Sequence, residues 1–467
     1  MFVGRVDELN ALNAMFARNR FEMAVIYGRR RIGKTALIDE FVKDKKILYF
    51  TALQRSAVVN LRRFTDTVSR FFGFESLPSF EDWSAALSFI VRQAQVLDER
   101  FVFVFDEFPY AALMDENLPS ELQIAIDHGF KTTNCMMVLS GSNEGFMESE
   151  VLGYKSPLYG RRTAQIQLQP LDYISLQDFL PHSQPEELVN YYAAFGGTPY
   201  YLAQLDPDVA FDGNVLNLCF SQLGLLREEP SMLLREELRE PALYYSVLQA
   251  VADGCTTPKI IAERSGVGEH GIGKYLKVLE GLGLIERKVP FGDDPAKSRK
   301  GLYAVKDPFF AYWYRFVSPA LDAIDNKAGE RVVRQLAFGE AFSTYVGQQF
   351  ETVCQQWLVK ANVEDDRLPF LATKFGKWWG NNPRKREQTD IDVVLANPRD
   401  KRILLCECKW RNSFNETEAV ESLLEREGLI AGYRNADFMF FSKHPVSEAT
   451  RDKYAGKVEF LSTQDLF

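Results

Sequence analysis

The sequence has few of the residues that build metal clusters and disulfide frameworks. Its six cysteines, at positions 135, 219, 255, 354, 406 and 408, show no CxxC spacing, and it has only four histidines. A structural zinc site and a disulfide framework are therefore not expected. No run approaches the roughly 18 to 20 apolar residues that a membrane span requires, and the N-terminus begins with a charged helical pattern instead of a signal core. The sequence predicts a cytoplasmic protein without a membrane partner.

The chain also lacks an excess of positive charge. Its formal net charge of -9 argues against a protein coated in nucleic acid, although it says little about a local basic patch. With 46% hydrophobic and 25% charged residues, the composition is that of a globular protein. A length of 467 residues predicts about two to four domains.

The first 170 residues alternate short apolar runs with amphipathic stretches, which is the pattern of βαβ units. Strands are predicted at residues 23–27, 47–51, 101–105 and 136–140. Each run ends near a polar or glycine-bearing turn, and ligands of open α/β sheets bind beyond the carboxyl ends of the strands. The pattern predicts an α/β domain with a largely parallel sheet over residues 1–170.

A glycine-rich turn follows the first predicted strand and fits G-x-x-x-x-G-K-[ST]. The turn consists of Gly28, Arg29, Arg30, Arg31, Ile32, Gly33, Lys34 and Thr35, and Ala36 follows in the next helix. Backbone N–H groups of such a turn surround phosphates, Lys34 can reach the β and γ phosphates, and Thr35 can bind Mg²⁺. The alternative is a chance match in a basic turn. The flanking strand and helix favour an ATP site, and the lack of an N-K-x-D element disfavours GTP.

Two carboxylates stand at the end of the third predicted strand. Asp106 is expected to hold the Mg²⁺ shell, and Glu107 is placed to orient and activate the attacking water. The alternative is a strand that simply ends in solvated acids. Ser140 ends the next strand in the segment Ser140-Gly141-Ser142, where a hydroxyl could sense the γ phosphate, hold the water or cap a turn. Arg161 and the adjacent Arg162 are candidates for an arginine finger, unless they lie on a solvated edge.

With these elements the sequence resembles a known family, the bacterial and archaeal P-loop ATPases related to the AAA and STAND groups. Besides the P-loop, the resemblance depends on residues 2–9, 106–107, 139–142, 157–161 and 196–202, and it spans essentially the whole chain. It implies an ASCE-type P-loop NTPase fold with a mostly parallel sheet. It also implies that Arg5 borders the nucleotide base and that residues 196–202 lie in the lid.

Residues 171–232 have a helical pattern, which we interpret as a small helical lid. Residues 233–319 predict three short helices followed by an apolar hairpin with strands at 284–289 and 302–305, the outline of a winged helix. Lysines and glutamates balance on the recognition-type helix, whereas five basic residues outnumber three acidic ones in the wing. DNA contact and a structural or partner-binding role therefore both remain open.

Residues 320–467 predict a long helix and then two strands, at 391–395 and 403–406, with further α/β structure. Asp392 lies on the first strand, and Glu407 and Lys409 follow at the end of the second. Because side chains alternate along a strand, Glu407 and Lys409 share one face, and a hairpin brings Asp392 beside them. Such carboxylates suit Mg²⁺ or Mn²⁺, and Lys409 could position a bound water. Glu351, on the preceding helix, could add or orient a ligand.

This constellation resembles the PD-(D/E)XK nuclease core, and specifically the C-terminal domain often appended to these ATPases. The resemblance implies a restriction-endonuclease-like α/β fold, with Asp390 in place of the glutamate that is common two residues before the aspartate. A basic aromatic stretch just upstream suits phosphate and base contact. It contains Lys374, Lys377, Trp378, Trp379, Arg384, Lys385 and Arg386. The alternative is a degenerate nuclease fold that only binds.

Together, these features predict an ATPase whose nucleotide state controls a winged-helix and nuclease-like module acting on DNA. A rival hypothesis is an ATP-gated switch or scaffold that binds nucleic acid or protein and cleaves nothing. The sequence leaves open whether the chain forms a homo-oligomer or has a protein partner.

Overall fold

A computed structural model describes residues 2–97, 99–336, 339–364, 367–433 and 435–467. The chain divides into two compact units. The first contains the residues up to Pro170 together with Thr198–Tyr200, and the second contains Leu171–Gly197 and Tyr201–Phe467. Among the described residues, no helix combines the length and the apolar character that crossing a bilayer requires.

The described part of the first unit contains a five-stranded sheet and the helices that precede its strands or connect them. Its strands are β1 (Glu22–Tyr27), β2 (Ile47–Thr51), β3 (Val102–Asp106), β4 (Met136–Gly141) and β5 (Ala164–Gln167). Its helices are α1 (Val6–Phe16), α2 (Lys34–Val42), α3 (Ala57–Phe72), α4 (Trp83–Val96), α5 (Phe108–Met114), α6 (Leu118–His128) and the single turn α7 (Glu144–Phe146).

All paired strands of this sheet run parallel, in the order β2-β3-β4-β1-β5. The predicted parallel α/β sheet is thus confirmed. Every residue of β1, β3 and β4 is buried, as expected for central strands that are covered on both faces. Because β3, β4 and β1 are neighbours and run parallel, their carboxyl ends meet at one edge of the sheet.

Aromatic side chains pack one face of this sheet. Phe105 of β3 lies 5.2 Å from Phe50, 5.6 Å from Trp83 and 6.1 Å from Phe64, measured between ring centroids. Each such ring pair contributes about 0.5–1.5 kcal/mol beyond the burial of its surface. The cluster therefore fixes the strand whose last residue is Asp106.

The second unit begins with helices, as predicted for residues 171–232. They are α8 (Leu176–Phe179), α9 (Pro185–Phe195), α10 (Pro199–Leu202), of which the last two residues belong to this unit, α11 (Phe211–Val215) and α12 (Glu229–Glu237). Three helices and a hairpin follow at α13 (Pro241–Ala252), α14 (Pro258–Ser265), α15 (Ile272–Gly281), β6 (Ile285–Lys288) and β7 (Leu302–Val305). The two strands pair antiparallel, so three helices and a hairpin follow one another in the predicted order, while their identity as a winged helix stays a prediction.

The remaining elements of the second unit surround a mixed sheet. The helices are α16 (Pro308–Tyr312), α17 (Leu321–Asp325), α18 (Gly329–Leu336), α19 (Glu340–Ala361), α20 (Glu416–Leu424) and α21 (Glu448–Lys453). The strands are β8 (Lys374–Asn382), β9 (Glu387–Asn397), β10 (Arg402–Lys409), β11 (Asn435–Ser442) and β12 (Glu459–Ser462). Their order is β12-β11-β10-β9-β8; β8, β9 and β10 pair antiparallel, whereas β10, β11 and β12 pair parallel.

The hairpin loop between β6 and β7 is joined to this mixed sheet. Phe291, in that loop, is buried in the core that contains Ile391, Val394 and Phe440. Its backbone N–H donates a hydrogen bond of 2.8 Å to the carbonyl of Lys377 on β8. The hairpin loop therefore packs against the C-terminal sheet within the second unit.

Candidate functional site

The glycine-rich turn leaves the buried end of β1 and enters α2. At Gly28 the backbone has φ of 152°, and a Cβ there would lie 2.8 Å from the carbonyl oxygen of Leu168, so the close approach requires glycine. Gly33, with φ of 91°, directly precedes the first residue of α2. The turn thus directs the N-terminus of a nine-residue helix towards the edge of the sheet, where a phosphate can bind.

Lys34 folds back over this turn. Its side chain is buried, and its ammonium donates to the carbonyls of Gly28 at 2.8 Å and Arg29 at 3.0 Å. Thr35 and Ala36 follow in the first turn of α2. The lysine is therefore held at the loop by backbone oxygens and brings its charge to the helix start.

The arginines of the turn anchor it to neighbouring segments. Arg29 donates 2.7 Å to the hydroxyl of Thr198, and Arg30 donates to the hydroxyl of Tyr110. The guanidinium of Arg31, whose backbone has φ of 70°, stacks 4.6 Å from the ring centroid of Tyr200.

Arg5 performs a similar role from the start of α1. It donates to the carbonyls of Ile32 at 3.2 Å and Gln169 at 2.6 Å. It is thereby placed beside the glycine-rich turn, while its contact with a nucleotide base remains a prediction.

Asp106 ends β3 in a buried position. Its carboxylate accepts hydrogen bonds from the Tyr49 hydroxyl at 3.2 Å and from the N–H of Glu107 at 3.0 Å. Burial and the charge of Asp106 raise the pKa of Tyr49, so this phenol remains a donor. Burial and the same charge also raise the pKa of Asp39 on α2. Negative charge is thus concentrated beside α2, as a divalent cation would require.

Glu107 is fixed by Ser142, which the sequence analysis names only as part of the segment at the end of β4. Its backbone has φ of 49°, a left-handed conformation that is rare for a residue with a side chain. Its Oε2 accepts 2.8 Å from the Ser142 hydroxyl and 3.2 Å from the Ser142 N–H. Because strain of this kind persists only where the surroundings impose it, the position of Glu107 is specified by the loop after β4.

Ser140 lies two residues before Ser142, near the end of β4. It is fully buried, and its hydroxyl has no hydrogen-bond partner among the described residues. A buried hydroxyl without a partner costs roughly 1–3 kcal/mol, which a ligand oxygen could offset. The role of Ser140 at the γ phosphate stays a prediction.

Glu144, after β4, is a residue for which the sequence analysis predicts no role. Its side chain is nearly buried, and burial raises its pKa to about 7, with a further increase from Glu148. A hydrogen bond from the Arg29 N–H and the charges of Arg29 and Lys34 oppose this increase. A carboxyl group therefore lies against the phosphate-binding turn.

Arg161 is engaged within its own unit. Its Nε and Nη2 donate to one oxygen of Asp127 at 3.1 and 2.6 Å, and this interaction, together with Lys131, lowers the pKa of Asp127 to about 2. Arg162 lies 5.9 Å from the ring centroid of Tyr159. To act as an arginine finger, Arg161 would have to break its hydrogen bonds with Asp127.

The predicted acidic residues of the second unit come together on its mixed sheet. Asp392 accepts 2.9 Å from the N–H of Cys408, which lies between Glu407 and Lys409 on β10. Lys409 and Arg426 both form ion pairs with Glu407. Burial and the charges of Glu351 and Glu407 raise the pKa of Asp392. We define Glu351, Asp390, Asp392 and Glu407 as the acidic cluster.

Lys377, which the sequence predicts to be a phosphate or base contact, lies among carboxylates of its own unit. Its ammonium lies 2.6 Å from Glu351, 3.3 Å from Asp390 and 3.4 Å from Asp392. Burial lowers the pKa of Lys377, but these negative charges raise it by more. Among the described residues, no three carboxylate, imidazole or thiol groups converge in a geometry that would hold a metal ion.

Two further cations of the same basic stretch also have acceptors inside the domain. Lys385 pairs with Glu425 at 2.6 Å, and Arg384 donates to the backbone carbonyl of that residue at 3.3 Å. The hairpin that the sequence predicts to be a wing is similar, since Lys288 pairs with Glu286 at 2.9 Å and Lys297 with Asp294 at 3.7 Å.

Two family descriptions match parts of the chain. Residues 2–205 match an ATPase domain found predominantly in Archaea, and residues 313–420 match archaeal and bacterial proteins of unknown function. An uncharacterized protein of Methanocaldococcus jannaschii is 33% identical over 412 residues, which cover 88% of each chain. An uncharacterized ATP-binding protein of the same organism is 47% identical over 47 residues, 10% of this chain and 80% of that protein.

A solved structure is similar to the chain over most of its length. The Walker-type ATPase of Pyrococcus abyssi aligns with a TM-score of 0.51 and 18% identity, covering 67% of this chain and 96% of that chain. At this identity the similarity shows the fold alone.

Proposed function

We propose a function from one premise, that this chain belongs to the family of ATP-binding P-loop ATPases found predominantly in Archaea. In this proposal, ATP hydrolysis in the first unit controls the activity of the second unit. The controlled part is a DNA-directed winged helix together with a metal-dependent, nuclease-like domain. The observation that carries this proposal is the convergence of Lys34, Asp106 and Glu107 at one edge of the parallel sheet.

Binding of the triphosphate is assigned to the glycine-rich turn. The backbone N–H groups at the start of α2 and the ammonium of Lys34 neutralise the phosphate oxygens. Thr35 and Asp106 would hold Mg²⁺, which supplies charge compensation at the β and γ phosphates. The concentration of negative charge around Asp39 and Asp106 fits such an ion. Arg5, which donates to Ile32 of the turn, borders the base in this proposal.

Glu107 is assigned to the attacking water. Phosphoryl transfer depends mainly on alignment and on charge stabilisation, so a carboxylate that orients the water in line supplies the missing element. Ser142 holds one oxygen of Glu107, which leaves the second oxygen to accept a hydrogen bond from the water. Ser140 would donate its hydroxyl to the γ phosphate. Purified protein should release phosphate from ATP with Mg²⁺, with or without plasmid DNA; no release under either condition would refute this assignment.

Glu144 predicts a pH dependence of ATP affinity. Because its pKa is raised to about 7, its carboxyl group gains negative charge near neutral pH and then competes with phosphate for the positive loop. We expect the affinity of the parent for ATP to fall about threefold to tenfold more between about pH 6 and pH 8 than that of Glu144→Gln. Calorimetry at several pH values measures this difference, and comparison with the variant removes the titration of ATP itself.

The exposed neighbour Glu148 provides a control for the Glu144 experiment. Glu148→Gln removes the same charge from the surface and should retain most of the pH dependence of the parent. Equal pH profiles for the parent and Glu144→Gln would contradict the position assigned to Glu144.

The nuclease-like assignment depends on Lys409. In the proposal this lysine positions water or offsets charge beside Glu407 and Asp392, which would hold Mg²⁺ or Mn²⁺, while Glu351 orients them. Lys409→Ala should therefore reduce plasmid cleavage, with Mg²⁺ or Mn²⁺ and ATP, by at least about 100-fold. Lys453→Ala, which removes a half-exposed lysine that pairs with Glu421, should cleave as the parent does. Equal cleavage by Lys409→Ala and the parent would refute the assignment.

A specific observation favours the second candidate, an ATP-gated switch or scaffold that cleaves nothing. Each carboxylate of the acidic cluster already pairs with a lysine or arginine of the same unit. This candidate predicts ATP-dependent binding of DNA or a protein partner by the full chain, without cleavage under any metal condition. Filter binding and plasmid cleavage, measured on one preparation, separate the two candidates.

A further inference from the structure

A break in the strand register brings a lysine into the acidic cluster. On β8 and β9, Gly376 lies opposite Val394 and Trp378 lies opposite Ile391, so β9 has one residue more than β8 in this interval. Such a bulge re-aims the side chains beside it. Lys377 is the residue of β8 within the interval, and Asp392 is one of the two residues of β9.

The backbone of Lys377 is fixed from the hairpin side as well. Its carbonyl accepts 2.8 Å from the N–H of Phe291, whose ring belongs to the core of the C-terminal sheet. A Cβ placed on Gly376 would lie 3.2 Å from the same ring, so the hairpin loop packs directly on the bulge. The ammonium is therefore delivered to the acidic cluster by a backbone that is held at two points.

The ammonium lies where the carboxylates converge. It is 2.6 Å from Glu351 on α19 and within 3.4 Å of Asp390 and Asp392 on β9, although these three residues come from two different elements. Glu407, the fourth member of the cluster, pairs with Lys409 and Arg426. Among the described residues, four carboxylates thus share three cations, which leaves one net negative charge for any further ion.

We propose that Lys377 is the resident cation of the acidic cluster and that its ammonium and a divalent metal ion exclude each other there. A divalent ion requires several carboxylate oxygens, and those of Glu351 and Asp392 are engaged by the ammonium. The metal would bind only after Lys377 has withdrawn. This inference rests on the proposed metal site, which identifies the competing ion. It adds that the ammonium of Lys377 keeps this site closed to that ion.

The test measures the binding of Mn²⁺ to the full chain without nucleotide. Binding is monitored as the loss of the signal of free Mn²⁺ in electron paramagnetic resonance. Lys377→Met removes the charge but keeps an unbranched side chain, and it should bind Mn²⁺ at least about tenfold more tightly than the parent. Lys377→Arg keeps the charge and should resemble the parent. Lys385→Met, which removes a cation elsewhere in the same domain, controls for the change in net charge.

A second substitution locates the added ion. The double variant Lys377→Met with Asp392→Asn should lose the gain in Mn²⁺ affinity, because it removes a carboxylate of the cluster. If Lys377→Met does not fold, as judged by circular dichroism, Lys377→Gln carries the same expectation. Binding by the neutral variant that is no tighter than that of the parent overturns the proposal, as does a gain that survives Asp392→Asn.

The result is distinguishable from a failure of the nuclease assignment. Tighter Mn²⁺ binding by Lys377→Met without any plasmid cleavage supports the exclusion by Lys377 while the nuclease assignment fails. Cleavage by the parent, with no gain in Mn²⁺ affinity for Lys377→Met, overturns the exclusion alone.

Discussion

Lys34→Ala is expected to weaken ATP binding by at least about 100-fold, because the variant loses charged hydrogen bonds to the phosphates that are worth about 1.5–3 kcal/mol each. The loss should exceed that of one contact. The ammonium also bridges the carbonyls of Gly28 and Arg29, so its removal loosens the turn that presents the backbone N–H groups. Titration calorimetry with ATP and Mg²⁺ measures the affinity directly.

Lys43→Ala is the matched control for this experiment. Lys43 follows the C-terminal end of α2, and its side chain is 74% exposed, so it carries the same charge far from the glycine-rich turn. It should bind ATP as the parent does. Unchanged ATP affinity in Lys34→Ala would remove the basis of the assignment of this turn.

Glu107→Gln is expected to bind ATP normally and to lower the rate of phosphate release by at least about 100-fold, the lower limit for loss of a general base. The amide has the shape of the carboxylate, and its oxygen can still accept the hydrogen bonds from Ser142. The effect should therefore fall on kcat and leave the dissociation constant of ATP little changed. Single-turnover phosphate release and calorimetry separate the two quantities.

Glu116→Gln, at an exposed position after α5, serves as the control for Glu107→Gln. It should hydrolyse ATP at the parent rate. If Glu107→Gln also does so, the water must be oriented by another residue, and the role assigned to Glu107 is wrong.

The central strands of the first unit could be predicted from the sequence because they are buried on both faces. β1, β3 and β4 are short, almost uninterrupted apolar runs, and the observed bounds differ from the predicted ones by at most one residue at each end. The edge strand β5 was not predicted, since glutamines alternate with its apolar residues and its exposed fraction alternates in the same way. β8 was likewise not predicted, because its lysines and tryptophans were interpreted as a binding surface.

In the candidate site, too, some residues could be predicted from local sequence and others could not. The residues from Gly28 to Thr35 are contiguous, so their spacing alone identifies the turn. Ser142 and Glu144 matter only because β4 lies between β3 and β1 in the sheet, and the order of strands in space is not encoded in local spacing. The carboxylate partners of Lys377 could not be predicted for a similar reason. Its carboxylates are on β9 and α19, and only the fold brings them to it.

The burial of Phe291 limits how the hairpin of the second unit can respond to any signal. An aromatic ring inserted in the core of the neighbouring sheet acts as an anchor, so the hairpin cannot swing on its own. Any displacement either extracts that ring, at the cost of exposing a large apolar surface, or pulls β8 along with it. A displacement of the helices before β6 that moved this hairpin would therefore also displace β8, the strand that carries Lys377.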